Sequence, residues 1–119
     1  MAAKYLILNS RDEFLRIEFD KIIAFESDGN YTNVIMTNKV KAMVGMNLSQ
    51  MQTLLEERLK DAASIFARVG KRHIINLKYI YRISIPQQKL YLSDSENFIY
   101  AASISKEALK QLRSILIGK

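Results

Sequence analysis

The 119-residue chain contains no cysteine, one histidine, one proline and four glycines. The missing cysteine removes disulfides, thiolate metal ligands and a thiol nucleophile at once, and it fits a reducing compartment. With His73 as the sole imidazole, a histidine zinc site or a serine-histidine triad would have to be built around that one ring. Pro86 and the few glycines do not mark out a linker, a low-complexity tail or a repeat array. A single domain over residues 1–119 is the expectation. Long apolar runs are missing as well: the start, MAAKYLILNS, offers only Tyr5 to Leu8, and no stretch approaches the ~18 apolar residues of a membrane span. No signal peptide is read, and a cytoplasmic protein with no membrane partner is expected.

Acidic residues are scarce in one half of the chain only. Residues 1–60 carry eight basic and eight acidic side chains, whereas residues 61–119 carry ten basic and four acidic, so the whole net charge of +6 lies in the second half. Between Asp61 and Asp94 there is no acid, while Arg68, Lys71, Arg72, Lys78, Arg82 and Lys89 all fall in that window. A concentrated positive field attracts polyanions such as nucleic acid or an anionic membrane; a solvated basic face that only aids solubility is the competing explanation. Hydrophobic residues at 49% against charged residues at 25% are the balance of a chain that folds and stays soluble.

The hydrophobic periodicity is mostly that of strands. Lys4 to Leu8 and Glu13 to Phe19 come first; Ile22 to Ser27 and Tyr31 to Thr37 then flank Asp28-Gly29-Asn30, whose residues tolerate positive φ and predict a hairpin turn. Val40 to Met46 is the next strand. From Asn47 the period changes: Met51, Leu54, Leu55 and Leu59 recur at helical spacing, with Asn47 as N-cap and Gln50 three residues on. Strand patterns resume at Ile65 to Val69, Ile74 to Leu77, Ile80 to Ile85, Lys89 to Leu92 and Phe98 to Ala102. Ser105 then caps a second helix with Ala108, Leu109, Leu112, Ile115 and Leu116 on one face. Strands do not alternate strictly with helices, which disfavours a doubly wound parallel sheet.

No catalytic constellation emerges. Gly70-Lys71 lacks both the earlier glycine and the following Ser or Thr of a phosphate loop, and Asp28-Gly29-Asn30 lacks acids at calcium-loop spacing. The pairs Asp12-Glu13 and Glu56-Glu57 diverge on a strand or helix instead of converging on a substrate. His73, in a strand-like run after Arg72, reads as a packing or hydrogen-bonding residue more readily than a catalyst. No enzyme activity, cofactor or metal is expected.

The stretch Arg68 to Asn76 stands apart, since three cations and a histidine surround a glycine between two apolar runs. That order puts the basic residues on an exposed turn held by two strands. Arg and Lys can pair with phosphate oxygens or with guanine O6 and N7, and Asn can read adenine, so the residue types suit entry into a DNA groove. A basic hairpin that merely discourages edge-to-edge aggregation would look the same in sequence.

These pieces, in this order, resemble the LytTR family of bacterial DNA-binding domains. The resemblance rests on Ile22-Ile23-Ala24-Phe25-Glu26-Ser27-Asp28-Gly29-Asn30-Tyr31-Thr32, the short helix Leu48 to Leu59, Phe66-Ala67-Arg68-Val69 through Asn76-Leu77, Ile80 to Ile83, and Ser103-Ile104-Ser105-Lys106. It covers roughly Phe14 to Leu116. It implies a mainly β domain with two short helices, antiparallel sheets forming an elongated sandwich, and loops that enter neighbouring major grooves of double-stranded DNA. It further implies transcriptional regulation, binding to paired direct repeats and self-association on DNA. Members often follow a receiver domain; none precedes Phe14, so a stand-alone regulator and an excised piece are both open. Carried over by position, the DNA-facing sites fall on Asn30, Thr32 and Asn33 of the hairpin, on Gly70, Lys71 and Arg72 of the basic loop, and on Lys106 at the last helix. Thr32 can donate to a phosphate or touch a thymine methyl, and Lys106 lies at a helix N-terminus that favours phosphate.

The chain also departs from the family pattern, which usually carries histidine at the place of Gly70, often serine at Arg72, an aromatic at His73 and arginine at Lys106. Lysine lacks the planar fork for bidentate guanine recognition, so Lys106 is expected to anchor phosphate. The alternative reading is a protein-interaction module of the same fold that has lost DNA binding. Single-stranded binding would need aromatics among the cations, and Tyr79, Tyr81 and Tyr91 fit sheet packing at least as well.

Overall fold

The computed structural model describes residues 4–96 and 99–118, with backbone only for Ile99. Ten strands and two helices follow in the order β1 (Tyr5–Asn9), β2 (Phe14–Glu18), β3 (Ile22–Asp28), β4 (Tyr31–Met36), β5 (Lys41–Val44), α1 (Leu48–Leu59), β6 (Phe66–Val69), β7 (His73–Asn76), β8 (Ile80–Ser84), β9 (Lys89–Ser93), β10 (Ile99–Ser103) and α2 (Lys106–Ile117). The expected strand from Phe98 begins outside the described residues; its remainder is β10. Every pairing is antiparallel. The strands form a central sheet of order β5-β4-β3-β7-β6, a three-stranded sheet β10-β9-β8 and the β1-β2 ribbon.

The central sheet is covered on both faces because its strands alternate two apolar sets. Phe25, Val34, Val44 and Ile74 point to one side, against Leu48, Met51, Leu55 and Leu59 of α1 and against Leu6 and Ile17 of the ribbon. Phe25 is fully buried there, worth about 1.5–3 kcal/mol of apolar transfer. Its ring meets that of Phe66 edge-on at 5.5 Å. Ile23, Ala24, Ile35 and Ile75 point to the other side, against Leu90 and Leu92 of β9 and Leu109 and Leu112 of α2. A register shift between Ile22 and Ala24 sets the adjacent residues Ile23 and Ala24 on one face, with Ile22 and Phe25 on the other.

Local chemistry sets the helix starts. Asn47 accepts from the Gln50 N–H at 2.8 Å, and Gln50 Oε1 accepts from the Asn47 N–H at 2.9 Å, a complete capping box. Ser105 Oγ accepts from the Ala108 N–H at 3.3 Å at the start of α2. The β3–β4 connection is tighter than its Asp-Gly-Asn signature implies: Asp28 still pairs with Tyr31, leaving Gly29, at φ +63°, and Asn30 as a two-residue turn.

Candidate nucleic-acid interface

Two antiparallel strands, β6 and β7, present Gly70-Lys71-Arg72 as an exposed turn, with Val69 pairing His73 across its base. Gly70 sits at φ +67°, a conformation that other residues adopt at a cost. The turn is braced from two directions. Arg68 donates from Nη2 to the Lys71 carbonyl and from Nη1 to Gln52 Oε1 of α1, both at 2.9 Å. On the other side the Ser27 N–H donates to the Arg72 carbonyl at 2.8 Å, and Arg72 Nη2 reaches the Ser27 carbonyl at 3.5 Å. The basic turn is therefore tied to the stem of the β3–β4 hairpin.

The start of α2 completes the arrangement. A cleft of about 580 Å³ separates the basic turn from Ser103, Ile104 and Ser105, so the two segments adjoin. A methyl group on Gly70 would meet Ala108 Cβ and Ile104 Cγ2 at 3.9 Å. Lys106 is exposed on the first turn of α2, outside the cleft lining. Among the described residues the ion pairs are His73–Glu26 and Lys78–Asp20, so Arg68, Lys71, Arg72 and Lys106 pair with no carboxylate. Arg68, Lys71 and Arg72 gather beside the cleft, where Glu107 is the one acid of the lining.

The hairpin residues are placed unequally. Asn30 is exposed at the tip. Asn33 is half-buried in a cross-sheet row, opposite Met43 on one side and Glu26 on the other, with His73 next along. Thr32 is fully buried and its Oγ1 donates to the Met46 carbonyl at 2.9 Å. Strand alternation puts Thr32 on the α1 face with Val34, so its hydroxyl ties the segment before α1 to β4 and faces no solvent. Asn76 is likewise engaged: buried, it donates from Nδ2 to the Ile22 carbonyl at 2.9 Å, while its Oδ1 accepts from the Lys78 N–H at 3.0 Å. Its position ends β7 and excludes the adenine contact that the residue type allows.

Beneath the turn lies a polar cluster that sequence spacing does not announce. The Tyr100 hydroxyl donates to Glu26 Oε2 at 2.9 Å across 74 positions of chain. His73 Nε2 lies 3.5 Å from the same oxygen, close enough for electrostatic attraction but without a hydrogen bond. Burial holds the His73 pKa below 6.5, with Arg72 acting in the same direction and Glu26 against it. Burial, then Glu26, raises the Tyr100 pKa, so its hydroxyl keeps the proton it donates. The brace residue Arg68 and this cluster support the turn; Arg68, Glu26 and His73 all lie in stretches the sequence singles out, and Tyr100 is the member that carries no sequence signal.

No helix among the described residues is long and apolar enough to cross a membrane. A family model described as the LytTr DNA-binding domain matches residues 12–117. Among solved structures, the LytTr DNA-binding domain of a methyl-accepting/DNA response regulator from Bacillus cereus is similar in fold, with a TM-score of 0.64 and 20% identity over 98% of each chain. No curated protein matches the chain. With the family match spanning both cores, the hairpin, the basic turn and the start of α2, the chain belongs to the LytTR family of DNA-binding domains.

Proposed function

We propose that this domain binds double-stranded DNA sequence-selectively, with the basic turn and its neighbours entering the major groove, and that it acts in bacterial transcription regulation. The observation that carries the reading is the braced turn: Lys71 and Arg72 stand exposed, unpaired and backbone-fixed beside the N-terminus of α2. A turn whose backbone is already held costs less ordering on contact than a mobile one, and it presents its side chains from a fixed position. In this reading Lys71 and Arg72 supply charge or read guanine, Lys106 anchors phosphate, and Asn30 reaches the backbone from the hairpin tip. Gly70 gives the turn its shape, and Asn33 sets the hairpin's position from within the sheet. Thr32 acts from beneath. Paired direct repeats and self-association on DNA belong to the same proposal, because a turn of three residues reads few base pairs and two copies extend the site.

The test is selection from a pool of random-sequence duplexes at two salt concentrations, followed by sequencing of the bound fraction. Enrichment of a spaced direct repeat is the expected result. Lys71→Ala or Arg72→Ala should weaken binding by about 1–3 kcal/mol where the residue reads a base, or lower the log-log salt slope by about one where it holds phosphate. Unchanged isotherms for both variants would remove the turn from the interface. Absence of binding at either salt would favour a protein-interaction module on the same fold.

A further inference from the structure

The three-stranded sheet β10-β9-β8 turns one face to the core. Leu90, Leu92 and Ala102 point inward, so strand alternation directs Lys89, Tyr91, Ser93, Ala101 and Ser103 outward. The register of β8 against β9 breaks between Ile80 and Arg82: Ile80 opposes Leu92 and Arg82 opposes Tyr91, with Tyr81 between them. A bulge of this kind re-aims a side chain. Here it brings Tyr81 and Arg82, neighbours in the chain, to the same outer face, where both meet Tyr91. The Tyr81 and Tyr91 rings stand 6.2 Å apart at 52°, and the Arg82 guanidinium lies 5.6 Å from the Tyr91 ring centre. Tyr81 is nevertheless 54% exposed, so sheet packing accounts for only part of its ring. Tyr79 differs, since its hydroxyl donates to the Asp20 carbonyl and serves the fold.

The charge on this face has one sign. No acid occurs in β8, β9 or β10, and neither Arg82 nor Lys89 belongs to an ion pair among the described residues. Around the rings the outer face is low, because Ser84, Ser93, Ala101 and Ser103 are small. The three serine oxygens accept from the Gln87 N–H, the Ser95 N–H and Lys89 Nζ, which leaves their hydroxyl protons to donate outward. Exposed rings beside unpaired cations suit a single strand, whose bases stack on the rings while its phosphates meet the cations. A duplex keeps its base faces stacked within itself and offers none to a tyrosine. The serines favour RNA over DNA, since a ribose 2′-OH gives each hydroxyl a partner that deoxyribose lacks. We propose that the outer face of the β8–β10 sheet binds single-stranded RNA, with a base on Tyr81, phosphates at Arg82 and Lys89, and ribose hydroxyls at the serines. This face shares no residue with the basic turn, so it adds a second nucleic-acid surface to the one proposed for duplex DNA.

The probe is a labelled oligouridylate of twelve nucleotides, titrated by anisotropy beside the oligodeoxyuridylate of equal length, which differs only at the 2′ position. Saturable binding with a several-fold preference for the RNA is expected. Tyr81→Ala should weaken it about tenfold and Tyr81→Phe should retain it, because stacking needs the ring and not the hydroxyl. Arg82→Gln should lower the log-log salt slope by about 0.7. Lys71→Ala, in the basic turn, should change RNA affinity by less than about twofold. Should Tyr81→Ala fail to fold, amide NMR of the unaltered chain decides the same point: oligouridylate should shift Tyr81, Arg82 and Tyr91, and shifts confined to Gly70, Lys71 and Arg72 would overturn the proposal. It also fails if oligouridylate does not bind, or if Lys71→Ala abolishes binding that Tyr81→Ala leaves intact. Equal affinity for the two oligonucleotides would overturn RNA as the partner. Shifts of the same β8 and β9 amides by decaproline, with none by RNA, would give the face to a proline-rich protein segment instead. Duplex binding without RNA binding strikes this face alone and leaves the function proposed above in place.

Discussion

Thr32 and His73 show how a residue's type and its burial pull apart. A threonine beside a hairpin tip offers a hydroxyl to a phosphate, but alternation along β4 gives that hydroxyl to the Met46 carbonyl. Thr32→Val keeps the shape and strips the carbonyl of its donor, so unfolding in urea should show a loss of about 1 kcal/mol with DNA affinity and salt slope unchanged. Lower affinity at undiminished stability would instead put the hydroxyl on DNA. His73 makes a pH prediction. Its folded pKa lies below 6.5, so between that value and 6.5 the unfolded chain binds more protons than the folded one. Stability therefore rises with pH through this window and is lost as pH falls through the folded pKa. His73→Phe should flatten that segment of the stability curve; an identical slope in both proteins would mean that other groups set it.

At the scale of elements, the brace at Arg68 is what makes a turn into a recognition feature. One guanidinium joins α1, through Gln52, to the carbonyl of Lys71, so the turn is tied to the helix. Arg68→Lys retains the charge and loses the two-pronged geometry. Its expected effect is a loss of roughly 1 kcal/mol in duplex affinity, measured by anisotropy, with the salt slope preserved. A reduced slope would identify Arg68 as a phosphate contact. The elements themselves were legible in sequence: the capping box at Asn47 and Gln50, the Ser105 cap and the alternating runs of β3 and β4 are local features, and local features survive in the fold. The 3-10 turns around the strands, Phe19–Lys21, Lys60–Ile65 and Leu77–Tyr79, were not, because such short turns have no period of their own.

For the whole molecule, charge distribution governs behaviour at long range. The acid-free window supplies Arg68, Lys71 and Arg72 to one edge, while Lys78 is drawn to Asp20 and Arg82 lies over the Tyr91 ring at 5.6 Å. The cations of the window therefore divide between the turn and the sheet beyond it. If only the turn, Lys106 and the hairpin meet the duplex, the salt slope should correspond to a few phosphates at about −0.9 each, well below what all ten basic residues of the second half would give. A slope near that larger figure, from titrations at several salt concentrations, would mean that DNA wraps the β8–β10 sheet as well.

Composition and periodicity by themselves determined the class of this protein: a cysteine-free, mainly β chain with two capped helices and a basic turn between two strands, to which the family resemblance added antiparallel sheets. Each follows from interactions within a dozen residues or so. Which cations are held and which are free, that Thr32 and Asn76 face inward, and that Tyr100 reaches Glu26 were decided by tertiary structure alone. These depend on which strand faces which and on the register shift in β3 that sets Ile23 and Ala24 on one face. Long-range pairing leaves no local periodic trace, so the cleft between the basic turn and α2 exists only once the chain has folded.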